Sequence, residues 1–405
     1  MTNYLLEWPM TIVLILLITA ATVVAVPTAI FFLEIIAAAL ISRPARRSQF
    51  IGVSTPRIGV LIPAHNESRN LLPTITDIKG QLALADRLLV VADNCSDDTA
   101  AIANAAGAEI VERKDANKVG KGYALDWGIR HLSADPPSVI IVVDADCRLS
   151  PGTLRQLARA TSATGRPSQA LNLMVAPVGS PINYQVAEFA WRVKNWVRPL
   201  GLHALNLPCQ LLGTGMAFPW EVIRSAELAT GHIVEDLNLG LDLAAAGHPP
   251  LFCPSAIVKS SFPLTLKGAV NQRERWEHGH LGLSLAKAPG LICRALMAGN
   301  VGLLALALDI AVPPLTLLGC LNALVLLTTS LAVLFGVSPL SFYIGTVSFT
   351  VFLVAVLLAW WTHGRDVLPA SSSRLVCSYI FAKLGLYLRL LWHGPNSRWT
   401  RTDRQ

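Results

Sequence analysis

Three stretches without a charged residue, 10–33, 310–337 and 339–362, constrain this chain more than anything else in it. Each is longer than the ~20 apolar residues that cross a bilayer as a helix. The first continues in apolar residues past Glu34 to Ile41 and is followed by Arg43, Arg46 and Arg47. It is too long for a secretory signal peptide and starts beside acidic Glu7, so it reads as one retained, tilted helix. The second carries Pro313 and Pro314 near its start, and only a few residues around 336–339 separate it from the third, which predicts a hairpin. Charged residues make up 15% of the 405 and hydrophobic residues 53%. A soluble domain carries about 25% charge, so a wholly water-soluble, disordered, collagenous or coiled-coil chain is excluded.

The net charge of +7 does not point to nucleic acid, because no basic run interleaves with aromatics. The cations instead flank the apolar blocks. Beyond 362 lie Arg365, Arg374, Lys383, Arg389, Arg398, Arg401 and Arg404, against Asp366 and Asp403. The positive-inside rule then predicts a cytoplasmic tail, a cytoplasmic middle region and an exterior N-terminus, in a multi-pass protein of the inner (plasma) membrane. Segment 375–392 is apolar but interrupted by Lys383 and Arg389. It reads as an interfacial amphipathic helix, with a fourth span as the alternative. The cysteines, Cys95, Cys147, Cys209, Cys253, Cys293, Cys320 and Cys377, are odd in number and dispersed. That pattern argues against a disulfide framework or a zinc site and fits a reducing cytosol. The expected organisation is a transmembrane helix and basic linker in 1–55, a cytosolic domain in 56–288, an interfacial segment and helical hairpin in 289–362, and a basic amphipathic tail in 363–405.

Within the middle region, Val/Ile/Leu-rich runs at 58–62, 87–92, 110–112 and 139–143 alternate with helical stretches beginning near Glu67, Asp97 and Lys121. Continuous apolar strands alternating with helices predict a parallel sheet covered on both faces. Ligands of such sheets bind beyond the C-terminal strand ends.

Polar clusters follow those ends. The first strand runs into Pro63-Ala64-His65-Asn66-Glu67, and the second into Asp93-Asn94-Cys95-Ser96-Asp97-Asp98. Asp97 and Asp98 read as helix-cap and first-turn residues. Asp93, at the strand tip, could accept the imide N–H of a uracil ring. Gly120-Lys121-Gly122 opens a helix, either as an anion site or as an ordinary glycine-rich start. It lacks the earlier glycine and the Ser or Thr of a Walker A loop. The fourth strand ends in Asp144-Ala145-Asp146, two carboxylates that suit Mg²⁺ with phosphate oxygens or, alternatively, cap the next helix. Glu235-Asp236 open a helix, where acids also stabilise the dipole. Gln272, Arg275 and Trp276 share one face of a helix leading towards the membrane, which is also the pattern of a surface helix with snorkelling arginines.

Taken in order, Pro63 to Glu67, Asp93, Lys121-Gly122, Asp144-Ala145-Asp146, Gly213-Thr214-Gly215, Glu235-Asp236 and Gln272-x-x-Arg275-Trp276 resemble the membrane-embedded glycosyltransferase family 2, the group of cellulose, chitin, hyaluronan and poly-N-acetylglucosamine synthases. Two departures stand out: Ala92 precedes Asp93 where many members carry a second acid, and Val234 precedes Glu235 where many carry Thr. The resemblance implies an α/β type-A glycosyltransferase (Rossmann-like) cytosolic domain with transmembrane helices at both ends. It implies inverting transfer from a nucleotide-diphosphate sugar, a UDP-sugar, to a growing extracellular polysaccharide. The alternative acceptor is a lipid-linked one, a glycolipid or polyprenyl-linked intermediate. Asp236, with Glu235, would be catalytic. Pro63, His65, Glu67, Asp93, Lys121, Asp144 and Arg275 would bind the nucleotide-sugar. Gly213, Thr214, Gly215, Gln272 and Trp276 would bind the acceptor, and Asp146 with Asp144 would hold Mg²⁺ or Mn²⁺. Expected partners are the donor, the glycan or lipid-linked acceptor, the lipid bilayer and an export partner or homo-oligomer, with no nucleic acid. A transporter would need more intramembrane charge than Asp309 at one span's edge. A nucleotidyltransferase would not need Gln272, Arg275 and Trp276 beside a membrane hairpin.

Overall fold

The computed structural model describes residues 4–40 and 55–372. The four expected strands form as β1 (Ile58–Ala64), β2 (Arg87–Asp93), β3 (Glu109–Arg113) and β4 (Val139–Val142). They pair in parallel in the order β3-β2-β1-β4. Side chains alternate across a strand, and here both faces are apolar. Val60 and Ile62 enter a core with Ile75, Ile78, Leu154 and Leu157 on one side of the sheet. Leu61 enters a second core with Leu125, Ile129 and Leu132 on the other.

The sheet is nevertheless mixed rather than parallel throughout. Four further strands, β5 (Arg148–Leu149), β6 (Ser168–Val175), β7 (Met216–Pro219) and β8 (Leu251–Ser261), extend it in the order β4-β7-β6-β8-β5. β7 runs antiparallel to both β4 and β6, and β5 antiparallel to β8. An antiparallel strand wedged between β4 and β6 is set by long-range pairing, which no local run announces.

Among the described residues, three helices are long and apolar enough to cross a membrane: Met10–Leu40, Leu315–Leu334 and Leu340–His363. The span expected at 310–337 is corrected. A separate apolar helix, Val301–Ala311, ends before Pro313 and Pro314, and the chain resumes helix only at Leu315. Two consecutive prolines remove two donors and obstruct the preceding turn. The expected helix at 375–392 lies outside the described residues.

The described chain forms two compact units, one from 4–40, 181–201 and 308–372, the other from 55–180 and 202–307. Segment 181–201 falls inside the expected 56–288 domain, yet it groups with the apolar helices. Val193 and Val197 pack with Phe31, Ile35 and Phe352. Arg198 Nε donates to Glu34 Oε2 at 2.6 Å, and its Nη2 lies 2.5 Å from Asp309 Oδ1 and 2.8 Å from the Asp309 carbonyl. Gly201 permits the close approach, since a Cβ there would lie 1.9 Å from the Glu34 carbonyl oxygen.

Candidate active site

The C-terminal ends of β1, β2 and β4 share one edge of the α/β unit, and each carries polar residues there. His65 Nδ1 lies 2.7 Å from the Asp93 carbonyl oxygen. Glu67 and Ser68 donate their backbone N–H groups to Thr99 Oγ1, each at 2.9 Å. Asp97 accepts the Thr99 N–H at 3.1 Å and its hydroxyl at 2.6 Å, but the N-cap of helix Thr99–Ala105 is Asp98, one residue later than expected. Asp93 is buried, and its Oδ1 receives Arg113 Nη1 at 2.6 Å. Arg113 also reaches Asp115 and sits 5.3 Å above the Tyr123 ring. One carboxylate oxygen of Asp93 is therefore committed to a buried ion pair. Arg113 escaped the sequence reading. Its signal is that it ends β3 directly opposite Asp93 in the sheet register.

Charge concentrates past β4. Lys121 Nζ lies 2.5 Å from Asp144 Oδ1, 2.5 Å from the Gly213 carbonyl oxygen and 4.0 Å from Glu235 Oε1. A Cβ on Gly213 would lie 3.2 Å from Asp236 Oδ2, so this glycine, at φ +85°, lets the chain pass against the acid pair. Gly122 does similar work: its Cβ would meet the Leu228 carbonyl at 2.4 Å, beneath the loop that leads to Glu235. The Lys121 and Glu235 side chains are 20% and 16% exposed. Desolvation, and then the neighbouring Asp236, push the Glu235 carboxyl up to about 8 against the pull of Lys121. Burial alone would favour neutral Lys121, but Asp144 and Glu235 outweigh it and raise its pKa. A firmly charged ammonium thus stands among three acids.

Gln272, Arg275 and Trp276 lie on helix Leu266–Met297. Gln272 is buried, while Arg275 and Trp276 are half-buried. Burial lowers the Arg275 pKa and the Glu235 carboxylate opposes it, which brings Arg275 within electrostatic reach of the acid pair. Val234, at the position noted above, packs against Gly279 of this helix, where a Cβ would lie 2.5 Å from Val234 Cγ1.

The structure separates Gly213-Thr214-Gly215 into two environments. Gly213 borders the acid cluster, but Thr214 and Gly215 are buried. Thr214 Oγ1 accepts the Asp144 N–H at 3.0 Å. Gln169 and Asn172, buried on β6 and absent from the sequence reading, bond to the backbone of Thr214 and Leu212. Burial pushes the Cys147 thiol up to about 12, which keeps it protonated.

Asp144 and Asp146 are both half-buried beyond β4. Among the described residues no group of three or more His, Cys, Asp or Glu is arranged to hold a metal. Two carboxylates with room for phosphate oxygens still fit Mg²⁺ or Mn²⁺, which are commonly held by one or two carboxylates plus substrate phosphate.

Residues 56–279 match the profile described as glycosyltransferase like family 2, more than half of the chain. The probable glycosyltransferase YdaM of Bacillus subtilis (strain 168) is 28% identical over 245 residues, 56% of this chain and 55% of that protein. The chain thus spans about half the length of the curated relative it matches. The mannosyltransferase PcManGT from Pyrobaculum calidifontis, solved in complex with GDP-Man and Mn²⁺, shares the fold at a TM-score of 0.54 and 14% identity, covering 92% of this chain and 99% of that one. Glucosyl-3-phosphoglycerate synthase from Mycobacterium tuberculosis, solved with Mn²⁺, UDP and phosphoglyceric acid, is 26% identical over 51% of this chain and 68% of its own, at a TM-score of 0.34. The mixed α/β sheet is of the type-A glycosyltransferase kind, and the profile runs from the approach to β1 into helix Leu266–Met297. The chain belongs to glycosyltransferase-like family 2.

Proposed function

We propose that this enzyme moves the sugar of a UDP-sugar, with inversion, onto the end of a growing extracellular polysaccharide. The observation that carries the reading is the gathering of Asp236, Glu235, Asp144, Gly213 and Lys121 within a few ångströms at the strand tips. Asp236 takes the proton of the acceptor hydroxyl as general base, a role that needs reach as well as the right protonation state. The freed oxygen attacks the anomeric carbon, the bond to the diphosphate breaks on the opposite face, and the nucleoside diphosphate leaves with both bonding electrons. The sugar passes through an oxocarbenium-like state, as in glycoside hydrolysis. Pro63, His65, Glu67 and Asp93 hold the base and ribose. Lys121 and Arg275 bring positive charge to the diphosphate. Asp144 and Asp146 would hold Mg²⁺ or Mn²⁺, which neutralises charge on the departing group. Gly213, Gln272 and Trp276 line the acceptor side, where the tryptophan face suits a sugar ring.

The protein is placed, in this reading, in the inner membrane with its α/β unit in the cytoplasm. The second half of helix Leu266–Met297 supports a lipid neighbour. Leu285, Pro289, Cys293, Leu296 and Met297 are exposed at helical spacing. The cations on this stretch are tied to helix Glu235–Ala245, Lys287 to Asp242 and the exposed Arg294 to the Ala245 carbonyl. A surface helix in water turns its apolar stripe to the core. The same observation favours a second reading, transfer of one sugar to a lipid-linked acceptor, because the helix bearing Gln272 and Trp276 also carries the apolar stripe. Polymer elongation through three candidate spans calls for an export partner or a homo-oligomer.

The deciding experiment incubates the purified enzyme with a panel of radiolabelled nucleotide sugars and sizes the product. A ladder or high polymer supports elongation, whereas a single-sugar lipid that does not lengthen with time selects the second reading. No transfer from any donor overturns both.

A further inference from the structure

The place of Gly213-Thr214-Gly215 in the motif order implies contact with the acceptor, but the neighbours of Thr214 are different. The residue is 2% exposed. Its Oγ1 accepts the Asp144 N–H at 3.0 Å and lies 3.3 Å from Cys147 Sγ. Residues 144 and 147 are the two ends of one turn, closed by the Cys147 N–H on the Asp144 carbonyl at 3.3 Å. A single hydroxyl therefore bridges both ends of the turn that carries Asp144 and Asp146.

We propose that Thr214 is a positioning residue that holds the Asp144-Ala145-Asp146 turn in the geometry that receives a divalent cation, and that its side chain does not meet the acceptor. The proposal rests on the role assigned above to those two carboxylates. Asp144 lies two residues past the end of β4, where ladder pairing has stopped, and a main-chain donor there needs another acceptor. A threonine hydroxyl has two acceptor sites and one donor, enough to take the Asp144 N–H and still bond to the sulfur.

The hydroxyl is itself held from behind. Gln169 Nε2 donates to the Thr214 carbonyl at 2.9 Å, and Gln169 Oε1 accepts the Leu212 N–H at 2.8 Å. Asn172 Nδ2 donates to the Leu212 carbonyl at 2.8 Å. The Gly215 N–H donates to the Val142 carbonyl at 2.9 Å, tying the far side of the strap to β4. Gly215 sits at φ +65°, and a Cβ there would lie 2.7 Å from Ala170 Cβ. Two buried amides on β6 and the end of β4 thus fix where the Thr214 oxygen stands. Loss of a group that orients metal ligands typically costs about 10–100-fold in metal affinity.

The test titrates the full-length chain in lipid nanodiscs with Mn²⁺ in the presence of UDP, reading free Mn²⁺ by electron paramagnetic resonance. Thr214→Val keeps the shape and removes the acceptor oxygen, and should weaken Mn²⁺ binding about tenfold. Thr214→Ser should restore it, a rescue that loss of packing alone would not show. Thr214→Ala, with the same expected loss, stands in should the valine protein fail to fold. Unchanged Mn²⁺ binding in the variant lacking the hydroxyl overturns the positioning role and leaves the metal assignment standing. Equal loss in the serine variant overturns it as well, since the hydroxyl is then not the group responsible. Failure of the wild-type chain to bind Mn²⁺ overturns both the positioning role and the metal assignment beneath it.

Discussion

Arg198 in the unit of apolar helices and Lys121 in the α/β unit each stand among carboxylates, and the two clusters differ in what encloses them. Arg198, Glu34 and Asp309 are all buried. The guanidinium spends its fork on both acids and on a carbonyl, joining three segments that lie far apart in sequence. Such an ion group gives little net stability over an apolar replacement but leaves a costly charge when one partner is removed. Lys121, Asp144, Glu235 and Asp236 are only partly buried and sit beyond strand ends, with three acids to one ammonium. The first cluster is closed and holds a packing arrangement. The second is open, has a surplus of carboxylate and keeps capacity for a cation and a proton.

If that contrast is right, substitutions in the open cluster should remove activity without unfolding the protein. The largest effect is expected from Asp236→Asn, which should lower turnover by about 10²–10⁴-fold, the range for loss of a general base. UDP binding measured by calorimetry should persist. Equal loss of UDP affinity and turnover would assign Asp236 to structure and erase the distinction between the clusters.

The reverse outcome is expected in the closed cluster. Arg198→Met leaves two acids without their buried partner and should cost about 3–5 kcal/mol, read as loss of folded protein in detergent melts. A protein that melts like wild type would show that the closed cluster holds nothing. A smaller effect belongs to Gly201→Ala, whose methyl meets backbone rather than a movable side chain. It should cost about 1–3 kcal/mol by overpacking, seen as a lowered Tm at unchanged KM for the donor.

The last expectation concerns pH. The folded state raises the Glu235 carboxyl from 4.5 to about 8. Between those values the folded protein binds more protons than the unfolded one, so stability falls as pH rises. Its contribution is fully present below the unfolded value and is lost as pH climbs towards 8. In EDTA, melts taken from pH 5 to 8.5 should show a falling Tm, and Glu235→Gln should flatten the slope. An unchanged slope would place the Glu235 carboxyl in water and loosen the open cluster as drawn.

Much of this molecule was legible residue by residue. β1 to β4 could be read because each is built around consecutive Val, Ile or Leu residues, only Ile110-Val111 in β3, and is followed by polar residues. β7 could not, because Met216-Ala217-Phe218-Pro219 is four residues long and owes its existence to β4 and β6 on either side. β8 carries Pro254 and Ser255 and a shift in its pairing with β6, which hides the alternation. At the site, the Lys121, Asp144 and Glu235-Asp236 positions were legible as polar interruptions at strand ends and a helix start. The Asp93–Arg113 pair was not, because it joins residues twenty apart through sheet register.

By itself the sequence determined the features that depend on neighbours along the chain: the existence of three long apolar helices, the parallel half of the sheet and the order of the polar motifs. These follow from burial of continuous apolar runs, which acts locally, whereas the break at Pro313 and Pro314 became visible only in the structure. Only the tertiary structure decided which partners those motif residues meet and how deeply they are buried. Thr214 and Asp93 are drawn inward because a buried N–H and a buried guanidinium must find partners, and those partners, Asp144 and Arg113, come from other strands. For the same reason residues 181–201 join the apolar helices: a buried Arg198 needs its acids, and Glu34 and Asp309 lie more than a hundred residues away on either side.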